Sequence, residues 1–216
     1  MRWIVLAGAI CLGSVIGFIP AYSIVLRSKA GTLIRNASIV SQYLGETTSV
    51  GTVQAIYNGN LTREPDCTPA YCAYEMVESN RVLAALHWGP YTELRSEVWF
   101  RDGILTASIL DFTSSANPHQ SIVAHVYIQE GNGLEFGLHP WADSSPHDTN
   151  GIVDVSPESL KAHEKAVLGF DTQCLTSHRG CMSVAELLPT IWAQGKNGTI
   201  QCRIKNHEGF VESPWR

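Results

Sequence analysis

Acidic residues are missing from the first 45 positions of this 216-residue chain; the first is Glu46. Four basic side chains precede it, Arg2, Arg27, Lys29 and Arg35, and from Trp3 to Leu26 there is no charge of either sign. Setting those four aside leaves 11 Lys and Arg against 20 Asp and Glu, so the remainder of the chain carries about −9. An acidic domain without a run of basic residues has nothing to neutralise a phosphate backbone, which excludes nucleic acid as a partner.

Catalytic signatures are missing as well. The chain has no G-x-S-x-G elbow, no H-E-x-x-H, no P-loop and no G-x-G-x-x-G. Their absence removes the usual arrangements for acyl transfer, zinc hydrolysis and nucleotide binding. His163-Glu164 and His207-Glu208 each lack the second histidine of a zinc helix. With no C-x-x-C there is no thioredoxin-like redox motif. No cofactor is expected.

What is present begins with the run WIVLAGAICLGSVIGFIPAYSIVL, residues 3–26. As a helix, 24 residues at about 1.5 Å each reach about 36 Å, enough for a bilayer core of about 30 Å. Residues 1–30 are therefore expected to be a transmembrane signal-anchor, with the membrane as partner through this helix. The alternative is a signal peptide cleaved after Ala21-Tyr22-Ser23, giving a secreted protein. Residues 31–48 read as a juxtamembrane linker or a short helix. Residues 49–216 read as one β-rich domain, and their composition is that of a globular chain. Basic residues on the two sides of the run are nearly balanced, so they set no firm orientation.

The domain's pattern is mostly period two. In LRSEVWFRDGILTASILDF, residues 94–112, Asp102-Gly103 is a two-residue turn signal. A type I′ turn needs positive φ at both positions, and this dipeptide supplies it. The register it predicts sets Phe100 opposite Leu105, Val98 opposite Ala107 and Ser96 opposite Ile109. One face then carries Leu94, Val98, Phe100, Leu105, Ala107 and Ile109. The other carries Arg95, Glu97, Arg101, Thr106 and Ser108, with Trp99 among them. Residues 121–130 predict a second strand, with His125 and Tyr127 on one face. Residues 51–57 predict a weaker strand. Residues 71–88 read as two strands turning at Ser79-Asn80, with a helix, which their alanines and leucines suit, as the alternative. A further hairpin is expected around Asn197-Gly198, with Ala193 opposite Cys202 and Ile191 opposite Ile204. Short helices are expected after Ser156-Pro157 and at the capping box starting at Ser183. The expected fold is mainly β: antiparallel hairpins forming a sandwich or curled sheet with one or two short helices, preceded by an N-terminal transmembrane helix.

Beyond Cys11 the cysteines fall as Cys67-x4-Cys72, Cys174-x6-Cys181 and a single Cys202. The second spacing is too wide for a zinc knuckle. Behind a membrane-crossing segment the natural reading is two disulfides, Cys67–Cys72 and Cys174–Cys181, in an oxidising compartment. That places the main domain on the extracytoplasmic side of a single-pass protein. Cys202 is left as a buried thiol.

CLTSHRGC, residues 174–181, followed by ELLPTIW resembles a pattern of membrane-anchored bacterial envelope proteins. The pattern occupies roughly the C-terminal fifth of the chain. The resemblance implies a location and carries neither a ligand nor a catalytic role.

The densest polar cluster is HPWADSSPHDTNG, residues 139–151, with His139, Asp143, His147 and Asp148. Imidazole and carboxylate are competent ligands for a divalent metal. Proline, serine, aspartate and glycine are equally the composition of an ordinary surface loop. The reading that the residues favour is a non-enzymatic binding or interaction domain with a protein or envelope-component partner. The alternatives are a metal-assisted hydrolase built on residues 139–151 and a small-ligand module using the sheet aromatics Trp99, His125 and Tyr127.

Overall fold

The computed structural model describes the backbone of residues 2–44, 48–64, 67–68, 70–117, 120–129, 133–141, 150–154, 169–181, 184–187, 189, 201–206 and 209–212. Side chains are described over 17–44, 48–64, 67–68, 70–114, 169–181, 186–187 and 189.

Helix α1 (Arg2–Ser41) and helix α2 (Val50–Ile56) precede β1 (Thr62–Arg63) and β2 (Tyr71–Ser79). Helix α3 (Arg81–Ala85) leads to β3 (Tyr91–Arg101), β4 (Ile104–Asn117), β5 (Gln120–Gln129), β6 (Gly133–Trp141) and β7 (Asn150–Asp154). A 3-10 turn (Thr172–Leu175), helix α4 (Val184–Leu187), β8 (Gln201–Asn206) and β9 (Gly209–Glu212) follow. The strands form one antiparallel sheet in chain order, β1 to β9. The mainly-β expectation with short helices is met. A second sheet is not what covers the described core; helices do that.

Helix α1 lies on one face of β2–β4. Leu26, Ala30, Leu33, Ala37 and Val40 are buried along it. Spacings of four, three, four and three put them on one stripe of a 3.6-residue helix. Val40 joins Val53, Tyr57 and Leu61 against Val98, Phe100 and Leu105. At the other end of the stripe, Arg27 Nε donates to Thr176 Oγ1 at 2.7 Å. Thr92 Oγ1 donates to the Leu175 carbonyl at 3.2 Å. From Leu26 to Val40 the helix rises about 21 Å, matching the about 26 Å that β3 covers from Thr92 to Phe100. The helix therefore runs along the strands, from the Tyr91 end to the Asp102-Gly103 turn.

The expected break between an anchor ending at 30 and a linker at 31–48 falls inside this continuous helix. Ser23 and Leu26, near the end of the uncharged run, are already buried. Among the described residues no helix is long and apolar enough to cross a membrane.

The Asp102-Gly103 turn forms as expected, with φ of 51° and 78°. Phe100 faces Leu105, but the register slips by one beyond it: Trp99 faces Ala107, Val98 faces Ser108 and Ser96 faces Leu110. Thr106 is the extra residue, and its hydroxyl donates to the Trp99 carbonyl at 3.2 Å. A bulge moves every later residue of β4 to the opposite face. Ser108, Leu110 and Phe112 thereby face the helices, and Ala107 and Ile109, expected there, do not.

Residues 51–57 are helical rather than extended. Ser49 caps α2, its hydroxyl accepting from Thr52 N at 3.2 Å. Val53 and Tyr57, four apart, both point into the core. The Tyr57 hydroxyl pairs with Ser96 Oγ at 2.7 Å. Burial pushes the Tyr57 phenol up to about 12, with the Ser96 hydrogen bond acting in the other direction.

The expected hairpin at Ser79-Asn80 is also corrected. Strand β2 ends there, and α3 follows before β3 begins. Asn80 is the reason: its amide donates to the Pro90 carbonyl at 2.9 Å and accepts from Thr92 N at 2.8 Å. One buried side chain thus ties the end of β2 to the start of β3 across the helical detour.

The predicted strand at 121–130 is β5. Asn197-Gly198, Ser156-Pro157 and Ser183 lie outside the described residues. Cys202 faces Val153 of β7, and Ile204 lies between Gly151 and Val211; their expected partners at 191–193 lie outside the described residues.

Candidate functional site

Both expected disulfides are present. Cys67–Cys72 has a Cα separation of 4.3 Å and Cys174–Cys181 one of 5.2 Å. They stand at opposite ends of the sheet. Cys72 faces Phe100 beside the Asp102-Gly103 turn. Cys174 and Cys181 lie where α1 enters the fold, with Arg27 bonded to Thr176 inside their loop.

The face of β2–β4 away from the helices is the polar one. Strand β3 alternates without exception from Tyr91 to Phe100, half-buried and then buried. The half-buried set is Tyr91, Glu93, Arg95, Glu97 and Trp99. Cross-strand register adds Glu75 beside Glu97 and Asp111 beside Arg95. Four carboxylates thus surround one guanidinium. Arg95 reaches Glu75 Oε2 at 3.5 Å and Glu93 Oε1 at 3.1 Å. The Tyr91 hydroxyl donates to the other Glu93 oxygen.

The electrostatics follow from that crowding. Desolvation works against the Arg95 charge, but the Glu93 hydrogen bond and the carboxylates of Glu75, Glu93 and Asp111 outweigh it and hold its pKa above the ordinary value. Desolvation also raises the Glu97 carboxyl. The Trp99 indole N–H, donating to it, and Arg95 pull it down; Glu64 and Asp111 push it further up. Tyr71 packs edge-on against Trp99, with ring centres 5.8 Å apart. The face is therefore acidic and preorganised, with an aromatic corner.

Strand register extends this face. Asp111 pairs with His125 and Ile109 with Tyr127. The expectation that Trp99, His125 and Tyr127 share a face holds at the level of register. His139 lies on β6 opposite Val123. Asp143, His147 and Asp148 lie outside the described residues. Among the described residues no group of three or more His, Cys, Asp or Glu is placed to hold a metal. Sequence reasoning missed the Glu75–Arg95–Glu93 network because Glu75 reaches Arg95 only through the β2–β3 register, which no local turn signal specifies.

A concavity of about 700 Å³ opens between α1 and β2, lined by Ser28, Lys29 and Thr32 of the helix and by Met76 and Glu78 of the strand. Burial raises the Glu78 carboxyl there and Lys29 opposes the rise. Comparison with protein-family models, curated proteins and solved structures finds no match for the chain.

Proposed function

We propose that this protein is a non-enzymatic binding domain, held at a membrane by the N-terminal half of α1, with its main domain on the extracytoplasmic side. The observation that carries the binding role is the contrast between the two faces of β2–β4. One is buried under helices. On the other, Ala73, Ala107 and Ile109 are buried, while half-buried Glu75, Glu93, Glu97 and Asp111 stand around Arg95 beside Tyr71 and Trp99. Fixed negative charge with an adjacent aromatic corner suits a cationic segment of an envelope protein.

Two disulfides support the oxidising side of a membrane. Support for anchorage comes from the sequence: Trp3–Tyr22 is 20 uncharged residues ahead of the packed stripe, about 30 Å as a helix.

Two experiments test the reading. Membranes washed with carbonate should retain the protein; a soluble mature form starting near Ile24 contradicts anchorage. Photo-crosslinkers placed at Glu93 and Glu97 in cells should each give the same discrete adduct, lost on Arg and Lys substitution at Glu75 and Asp111. Adducts from other surfaces only would refute the role of this face.

A further inference from the structure

The end of the sheet from which α1 emerges carries a second, unexplained feature. Between β2 and β3 the chain makes the detour α3–Leu86–His87–Trp88–Gly89–Pro90. It exposes three large apolar side chains, Leu86 at 47%, Val82 at 39% and Trp88 at 39%, flanked by exposed Arg81 and His87. The detour is rigid, because it interlocks with the disulfide loop. Trp88 packs edge-on against His178, ring centres 5.5 Å apart. A side chain on Gly89 would meet the Ser177 carbonyl oxygen at 2.7 Å, so the two backbones are in direct contact. The same loop holds Arg27 through Thr176.

Position gives this apolar platform its meaning. Arg27 directly follows the uncharged run Trp3–Leu26. The helix passes the sheet end at the disulfide loop and continues outward with Phe18, Ile24 and Val25 exposed. Anything that takes up the helix N-terminal to this point lies at this end of the domain and nowhere else. Exposed Arg27, Lys29 and Arg179 stand at this end, Arg179 paired with Glu186 at 2.9 Å and Lys29 near Glu78. Tryptophan beside lysine and arginine is the composition of a membrane–water interface, where the indole sits at headgroup depth and the cations meet anionic lipid.

We infer that α3 and Trp88 form an interfacial platform that rests on the bilayer, with the Cys174–Cys181 loop bracing it against α1. The inference rests on the membrane-anchored reading above. It adds that the domain is docked on the lipid surface rather than held away from it on a free stalk. The domain's orientation is then fixed, and the Cys67–Cys72 end points away from the membrane.

The test uses the full chain reconstituted in vesicles containing anionic lipid, with brominated acyl chains as quencher. Trp88→Phe should remove a quenched component of the tryptophan emission. Leu86→Trp, at a site open enough to accept the ring, should add one. Circular dichroism on each variant confirms the fold. If the protein co-floats with the vesicles but neither variant changes the quenched fraction, the platform is refuted and anchorage stands. If the protein does not co-float, anchorage and platform fail together.

Discussion

The two ends of the sheet are each closed by a disulfide, and they are built on different principles. At the Asp102-Gly103 end, Cys67 and Cys72 join residues five apart, half-buried beside an open turn. At the other end, Cys174 and Cys181 join residues seven apart and are both buried. Loop-closure entropy barely distinguishes them: the chain-entropy model gives about 2 kcal/mol for the first and about 2.5 for the second. What differs is what each loop touches. The first is a local clasp. The second locks three distant parts of the chain together: α1 through Arg27, the β2–β3 connection through Gly89 and Pro90, and the core through Thr92 and Leu175. The contribution of such short bridges is expected to follow the packing they organise more than their loop length.

Paired removal of the cysteines gives the largest expected separation. Cys174→Ala with Cys181→Ala should cost about 4 kcal/mol, loop entropy plus the packing of two buried side chains. Cys67→Ala with Cys72→Ala should cost about 2 kcal/mol. Urea denaturation of the two double variants under non-reducing conditions measures both. Equal losses would mean that the interlock contributes nothing.

Glycine substitutions break the same comparison without touching sulfur. A Cβ on Gly89 would lie 2.7 Å and 3.1 Å from the backbone oxygens of Ser177 and His178, atoms that move only if the loop moves. Gly89→Ala should cost about 2–3 kcal/mol. Gly103 at the opposite end has φ of +78° but open space around it. Gly103→Ala pays only the left-handed strain, about 1 kcal/mol. The same denaturation series ranks the two, and a larger loss at Gly103 would reverse the assignment of the rigid end.

Glu97 sits between the ends and sharpens the comparison through pH. Its folded pKa is raised above the ordinary 4.5 by desolvation. The folded state therefore binds its proton more tightly than the unfolded chain, and this group's contribution falls as pH rises from 4.5 through the raised value. Glu97→Gln should be more stable than the parent at pH 7, by less than about 1 kcal/mol because the group is half-exposed. The advantage should vanish below pH 4.5. Thermal melts at several pH values check it, and a gap that widens toward acid would contradict the sign.

The sequence was readable where one local signal decided the outcome. Asp102-Gly103 set its turn, period-two alternation set β3 and β5, and cysteine spacing set both disulfides. It misled where tertiary contact decided. The Thr106 bulge has no turn-type signature, so the turn alone predicts the wrong face for Ala107 and Ile109. Residues 51–57 alternate well enough for a strand, but the Ser49 cap and the buried Tyr57–Ser96 pair make them helical. Asn80 looks like a turn residue and serves instead as a bridge between strands. The helix stripe from Leu26 to Val40 straddles the boundary at residue 30 that the uncharged run Trp3–Leu26 suggests, so the sequence divides it between an anchor and a linker. Of the candidate site, the aromatic positions Trp99, His125 and Tyr127 were visible, while the carboxylates around Arg95 appeared only once β2 was in register.

The Cys174–Cys181 bridge bears on the compartment, braces α1 and distinguishes the two ends of the sheet. The direct measurement is peptide mapping without reduction, on protein whose free thiols were alkylated inside intact cells before lysis. The expected result is one peptide pair linked through Cys174 and Cys181 and another through Cys67 and Cys72, with none of the four alkylated. Full alkylation of Cys174 and Cys181 in the folded protein would contradict it, removing the oxidising location and the interlock together.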